Sequence, residues 1–170
     1  STPHSYTGEV DVAAVLTDLA KEMQLTLRND GVTAKLSNPV LNGATQKQFD
    51  DVVRAAGIDY FKDSTDDSIT ITPKGAARSI ETAVLTPSTG LIGYPVPNQT
   101  GIAFKCLYDS RIRFGGMVEI KNSLIEPCNG KWRASGVNIN IDSELPSGQW
   151  FCEVQATELG NSGNAPIIQK

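Results

Sequence analysis

The hydrophobic period of this chain changes along its length, and the change limits what it can fold into. Within residues 12–23, apolar side chains recur at Val12, Val15, Leu16, Leu19, Ala20 and Met23, a helical spacing. The spacing returns at Phe49, Val52, Val53 and Ala56. Further on the pattern is alternation, with Ile102, Phe104, Cys106 and Tyr108 set against Ala103, Lys105 and Leu107. A stripe of period 3.6 cannot fill one face of a strand, nor a period of two one face of a helix. The chain therefore reads as α+β: an α/β helix-hairpin unit followed by a small antiparallel β-barrel.

Residues 8–73 carry the helix-hairpin unit. Asp11 stands where the first helix needs an N-cap. Leu25 and Leu27, an Asn29-Asp30-Gly31 turn, then alternating Val32, Ala34 and Leu36 predict a hairpin. The second helix opens on Thr45 as N-cap with Gln48 three residues on, a capping-box spacing, and Gly57 stops it. Residues 58–61 and 69–71 predict a second hairpin around a polar loop. The halves align at an offset of 33 residues, Leu16 with Phe49 and Leu25 with Ile58. Each reads as a helix feeding a hairpin, through internal duplication or through shared shape alone.

Pro73-Lys74-Gly75 breaks this pattern, making 74–80 a linker, and 81–159 reads as the barrel. Val118 and Ile120 follow a Gly115-Gly116 turn. Asn129-Gly130 opens a long strand with Val137, Ile139 and Ile141 on one face. Ser147-Gly148 turns the chain into a last strand with Trp150, Cys152 and Val154 on a common face. Short strands with Gly-rich turns and no helix imply a small barrel or sandwich. Residues 1–7 and the tail 160–170 read as loose ends, and Ser1 in place of Met reads as the start of a trimmed chain.

A length of 170 residues suits one domain or two small ones, and no apolar run approaches the ~20 residues that span a bilayer. Fifteen basic against nineteen acidic residues, net −4, argue against a specific nucleic-acid partner. Lys105, Arg111, Arg113, Lys121, Lys131 and Arg133 do crowd one region. Three widely spaced cysteines form neither a disulfide framework nor a CxxC motif, which fits a reducing cytoplasm. Cys106 and Cys152 fall in apolar strands as core residues; Cys128, in a Pro-Cys-Asn-Gly turn, is expected as an exposed thiol.

No catalytic constellation emerges. His4, the one histidine, lies in a terminus expected to be mobile, and a general base must be held. Asp63, Asp66 and Asp67 lack the ligand spacing of a calcium loop and read as a solvated turn. Asp50-Asp51 and Asp142-Ser143-Glu144 offer no carboxyl on an apolar floor for glycoside chemistry. Trp132 and Trp150 could stack a sugar or base, but read first as core or interface. No enzyme activity, cofactor or metal is expected.

Within residues 89–157 lie Thr89-Gly90-Leu91-Ile92-Gly93-Tyr94-Pro95, Gly101-Ile102-Ala103-Phe104, and Arg113-Phe114-Gly115-Gly116-Met117-Val118-Glu119-Ile120. Gly130-Lys131-Trp132-Arg133 and Asp142-Ser143-Glu144-Leu145-Pro146-Ser147-Gly148-Gln149-Trp150-Phe151 follow. In order and spacing these resemble the C-terminal half of the baseplate hub proteins of contractile-tailed bacteriophages. Leu36-Ser37-Asn38-Pro39 and Leu41-Asn42-Gly43 extend the likeness, resembling the family's link between its two helix-hairpin halves. The resemblance implies a tube-like barrel domain and a structural role without cofactor. It also implies a homotrimer seated between tail tube and central spike, assembled in the bacterial cytoplasm and touching membrane only through the spike. Members carry a further N-terminal barrel, and this chain begins where their inserted unit begins.

Leu91, Tyr94 and Phe114, set in glycine- and proline-rich connections, are the candidate interface residues. Two other classes compete. Helix-hairpin repeats also resemble secretin-type periplasmic modules, giving a cell-envelope ring or adaptor; a glycan-binding β-barrel would use Trp132 or Trp150.

Overall fold

The computed structural model describes residues 3–64, 66–141 and 149–160. The chain divides into two compact units, Ser1–Ala76 and Ala77–Lys170. The Asp142–Glu144 turn and the tail beyond Gly160 lie outside the described residues.

The first unit runs β1 (His4–Ser5), β2 (Glu9–Asp11), α1 (Val12–Glu22), β3 (Thr26–Asn29), β4 (Lys35–Ser37), β5 (Val40–Leu41), α2 (Thr45–Ala56), β6 (Ile58–Asp63), β7 (Ser68–Pro73). Leu16 and Leu19 of α1, Phe49 and Val52 of α2, and Ile69 and Ile71 of β7 share one core. Phe49 meets Tyr60 edge-on at 5.2 Å between ring centres. Central β7 pairs antiparallel with β6, as the second predicted hairpin requires, and parallel with β3.

The first predicted hairpin does not form. Asn29 does turn the chain: its side chain donates to the Val32 carbonyl (2.9 Å) and accepts from the Val32 amide (2.7 Å). The strands then part, however, β3 pairing with β7 and β4 with β2. A turn signal fixes a reversal of direction, while burial selects the partner, and β3 gains Ile69 opposite Leu27. Helix-then-hairpin therefore describes the second half only.

Both helix starts differ in mechanism from expectation. Asp11 is the N-cap of α1 but makes no side-chain cap bond. Its backbone is paired with Lys35, and the Val12 amide donates to the Ala34 carbonyl at 3.0 Å. The N-cap of α2 is Ala44, not Thr45. Gln48, expected to close a capping box, is buried. Its Nε2 donates to the Gly43 carbonyl (2.8 Å), and its Oε1 faces His4 Nδ1 (3.0 Å). His4 is thus held, with Nε2 2.9 Å from Glu22 Oε1, and β1 pairs with β5 where a loose end was expected. Gly57 ends α2 in the left-handed region as anticipated.

The second unit contains β8 (Ala83–Leu85), β9 (Leu91–Asn98), β10 (Gly101–Leu107), β11 (Met117–Ile120), a 3-10 turn (Glu126–Cys128), β12 (Gly130–Ile141) and β13 (Trp150–Glu158). They form one sheet in the order β8-β11-β12-β13-β10-β9, with β8–β11 its single parallel pair. The two edge strands are consecutive in sequence, which forces the sheet to curl. Five strand spacings of ~4.8 Å would put flat edges ~24 Å apart. The six peptide steps from Leu85 to Leu91 reach at most ~22 Å when fully extended. The connection is far from extended: Thr86 and Thr89 exchange backbone hydrogen bonds at 3.0–3.1 Å, and the Leu91 amide returns to the Thr86 carbonyl. The result is the half-barrel of an α+β fold.

Its concave face holds Phe104, Cys106, Val118, Ile120 and Val154, as their alternation predicts. Trp132 is core too, its Nε1 donating to the Cys128 carbonyl at 3.0 Å. Cys128, expected exposed, is fully buried. The Pro127-containing turn folds its small apolar thiol inward beneath the sheet, where burial pushes its pKa up.

Candidate functional site

Strand parity sends Tyr108, Ile139 and Trp150 toward the concave face, yet they are 50%, 50% and 54% exposed. The three meet at one end of the sheet. Tyr108 N donates to the Trp150 carbonyl (2.9 Å), and Ile139 stands opposite Cys152, one diagonal step from Trp150. On the convex side of the same end, Leu107 stands opposite Phe151, and Lys105 Nζ lies 3.8 Å over the Phe151 ring.

Edge strand β9 continues this surface. Ile92 stands opposite Lys105, and between Ile92 and Val96 the register shifts against β10. The residues set free by that bulge include Tyr94, 66% exposed. Pro95 and Pro97 remove two N–H donors from β9 and so limit strand-on-strand pairing. An apolar end carrying Tyr and Trp suits burial against another protein, since both rings combine large apolar area with a polar tip.

Of the predicted interface residues, Tyr94 is exposed on edge strand β9. Leu91 is buried in the core beneath it. Phe114 is half-buried in the 109–116 connection, where its carbonyl accepts a 3.1 Å bond from Arg78 Nη1. Sequence reasoning put Tyr108 and Ile139 on the apolar faces of their strands and read Trp150 as core or interface. Alternation reports which side a residue faces, not where along the strand the cover ends.

Among the described residues, no group of three or more His, Cys, Asp or Glu is placed to hold a metal ion. Asp66 accepts from Arg28 Nη2 (2.9 Å) and Ser68 Oγ (2.5 Å). Asp51 accepts from Lys47 Nζ at 2.6 Å, a bond that holds its carboxyl below the usual range. Asp50 accepts from the Tyr60 hydroxyl (3.0 Å); burial first, then that carboxylate, push the phenol up to about 12.

Several members of the basic cluster have local partners. Arg111 makes paired bonds to Asp109 and reaches Glu81 at 3.2 Å, and its hydrogen bond keeps the Asp109 carboxyl low. Lys121 lies 3.5 Å from Glu119, and Arg133 is buried. The cluster is thus not one free positive field.

The family model described as baseplate hub gp41 matches residues 4–146. Among solved structures, the prophage MuSo2 43 kDa tail protein from Shewanella oneidensis is similar in fold, with a TM-score of 0.61 at 5% sequence identity. That match covers 91% of this chain and 66% of the tail protein, so this chain spans 66% of that protein's length. No curated protein matches the chain in sequence.

Proposed function

The chain belongs to the baseplate hub gp41 family, and from that premise we propose that it assembles with copies of itself, as a homotrimer, between tail tube and central spike. Family membership makes it a structural component of a phage tail baseplate, and so of the virion tail. The finer reading is carried by one observation, the exposed apolar end formed by Tyr108, Ile139 and Trp150. A closed ring of copies needs a patch that buries against its neighbour under a fixed rotation, and aromatic anchors supply most of the energy of such contacts. Tail-tube, spike and other baseplate proteins are the remaining partners in this reading. Assembly takes place in the reducing bacterial cytoplasm, in keeping with three free cysteines. A role of this kind needs no cofactor and no catalysis.

Replacing Trp150 or Tyr94 with a photo-crosslinking amino acid tests the reading in assembled tails. Crosslinks to other copies of this chain, or to tube and spike proteins, are the expected result. Assembled tails in which both positions give no protein crosslink would remove this surface from the assembly.

A further inference from the structure

Cys106 on β10 and Cys152 on β13 are direct cross-strand partners. Both are free and fully buried, and both project into the same core. The adjoining pair, Tyr108 and Trp150, carries a backbone hydrogen bond. Bonded and non-bonded pairs alternate along an antiparallel ladder, so Cys106 and Cys152, two residues along, fall in the bonded class with Cα atoms about 5.5 Å apart. A disulfide spans Cα separations of about 4.4–6.8 Å. Burial raises both thiols, and the two side chains interact with each other.

We propose that Cys106 and Cys152 form an oxidation site for a small uncharged peroxide, closing into a cross-strand disulfide while Cys128 stays a thiol. Burial selects the oxidant, because a charged reagent would have to shed its hydration to reach either sulfur. One thiol gives up its proton and its sulfur attacks a peroxide oxygen; the O–O bond breaks, the departing hydroxide takes that proton and leaves as water, and the sulfur becomes a sulfenic acid. The second thiol sulfur then attacks the sulfenic sulfur. The S–S bond forms, the S–O bond breaks, and the hydroxide leaves as water with the thiol proton. In sum two thiols lose two electrons and two protons, and one peroxide becomes two waters. A dithiol reductant reopens the bridge by thiol–disulfide exchange.

The test treats the folded chain with hydrogen peroxide, quenches, alkylates in denaturant and maps thiols by mass spectrometry. Tryptic cleavage separates the three cysteines, since Arg111, Arg113 and Lys121 lie between Cys106 and Cys128, and Lys131 and Arg133 between Cys128 and Cys152. The expected product is a Cys106–Cys152 crosslink with Cys128 alkylated, reversed by dithiothreitol. The same oxidation in denaturant sets the comparison, because an unfolded chain has no register to direct pairing. Three alkylated cysteines from the folded chain, at a dose that fully oxidises the unfolded one, would overturn the proposal. So would sulfinic acid without a crosslink, or the same mixture of pairings in both states.

Discussion

Gly101→Ala should destabilise the second unit far more than an exposed strand-end glycine would suggest. Gly101 opens β10 and lies between Thr157 on β13 and Asn98 on β9. A Cβ there would overlap the Ala156 carbonyl oxygen and stand 2.9 Å from Thr157 Cα. These are backbone atoms of a strand paired on both sides, so no rotamer change relieves the clash. The end of β10 must move away instead. That loses one or two ladder bonds at about 1 kcal/mol each. Overpacking adds about 1–3 kcal/mol, for a total of roughly 2–5 kcal/mol. Gly130→Ala is the control: its φ of +129 also disfavours a side chain, but nothing lies within 4 Å of the new methyl. It should cost about 1 kcal/mol, from backbone conformation alone. Urea unfolding followed by tryptophan fluorescence reads this unit selectively, since Trp132 and Trp150 are the chain's two tryptophans and both belong to it. Equal losses for the two variants, at unchanged m-value, would refute the steric argument.

Other consequences are as direct. Phe49→Ala empties the centre of the first unit's core, where Phe49 is fully buried against Tyr60; urea unfolding followed by far-UV circular dichroism should show a loss of about 3–5 kcal/mol. Tyr60 keeps its proton to about 12 in the fold, against an ordinary 10.0. A raised folded value means its contribution is complete below pH ~10 and is lost as pH climbs through ~12. Tyr60→Phe should therefore flatten the fall in urea midpoint over about pH 10–12, and an unchanged fall would contradict this. Trp150→Ser with Ile139→Ser removes two half-exposed apolar side chains, and urea unfolding should show a loss of about 2–4 kcal/mol with the fold retained. In competition with the unaltered chain, the same variant should enter tails poorly; equal incorporation would clear this end of an assembly role.

Much of the fold was legible because local chemistry and global burial agree there. Val12 to Ala20 on α1, Phe49 to Val53 on α2, and alternation along β10 and β13 each name one face, and the core takes that face. The misses share a cause. Asn29-Asp30-Gly31 announces a turn, but pairing β3 with β7 depends on a strand about forty residues away. Asp11 and Gln48 suit capping by type, yet Ala34 and His4, distant in sequence, make other bonds available. Cys128 reads as exposed because its turn is polar, and only the fold shows the thiol tucked inside. Tyr94, a candidate from its glycine- and proline-rich setting, is exposed. Trp150 was read as core or interface, but its exposure beside Tyr108 and Ile139 was not legible, because the end of a half-barrel's cover is a property of the curled sheet.

Contractile tails released by inducing the source bacterium, labelled with antibody to this chain and imaged by electron microscopy, test the hub role most directly. The account predicts label confined to the distal, baseplate end, with the chain recovered by mass spectrometry of the purified particles. Intact tails lacking the chain by both measures would contradict it.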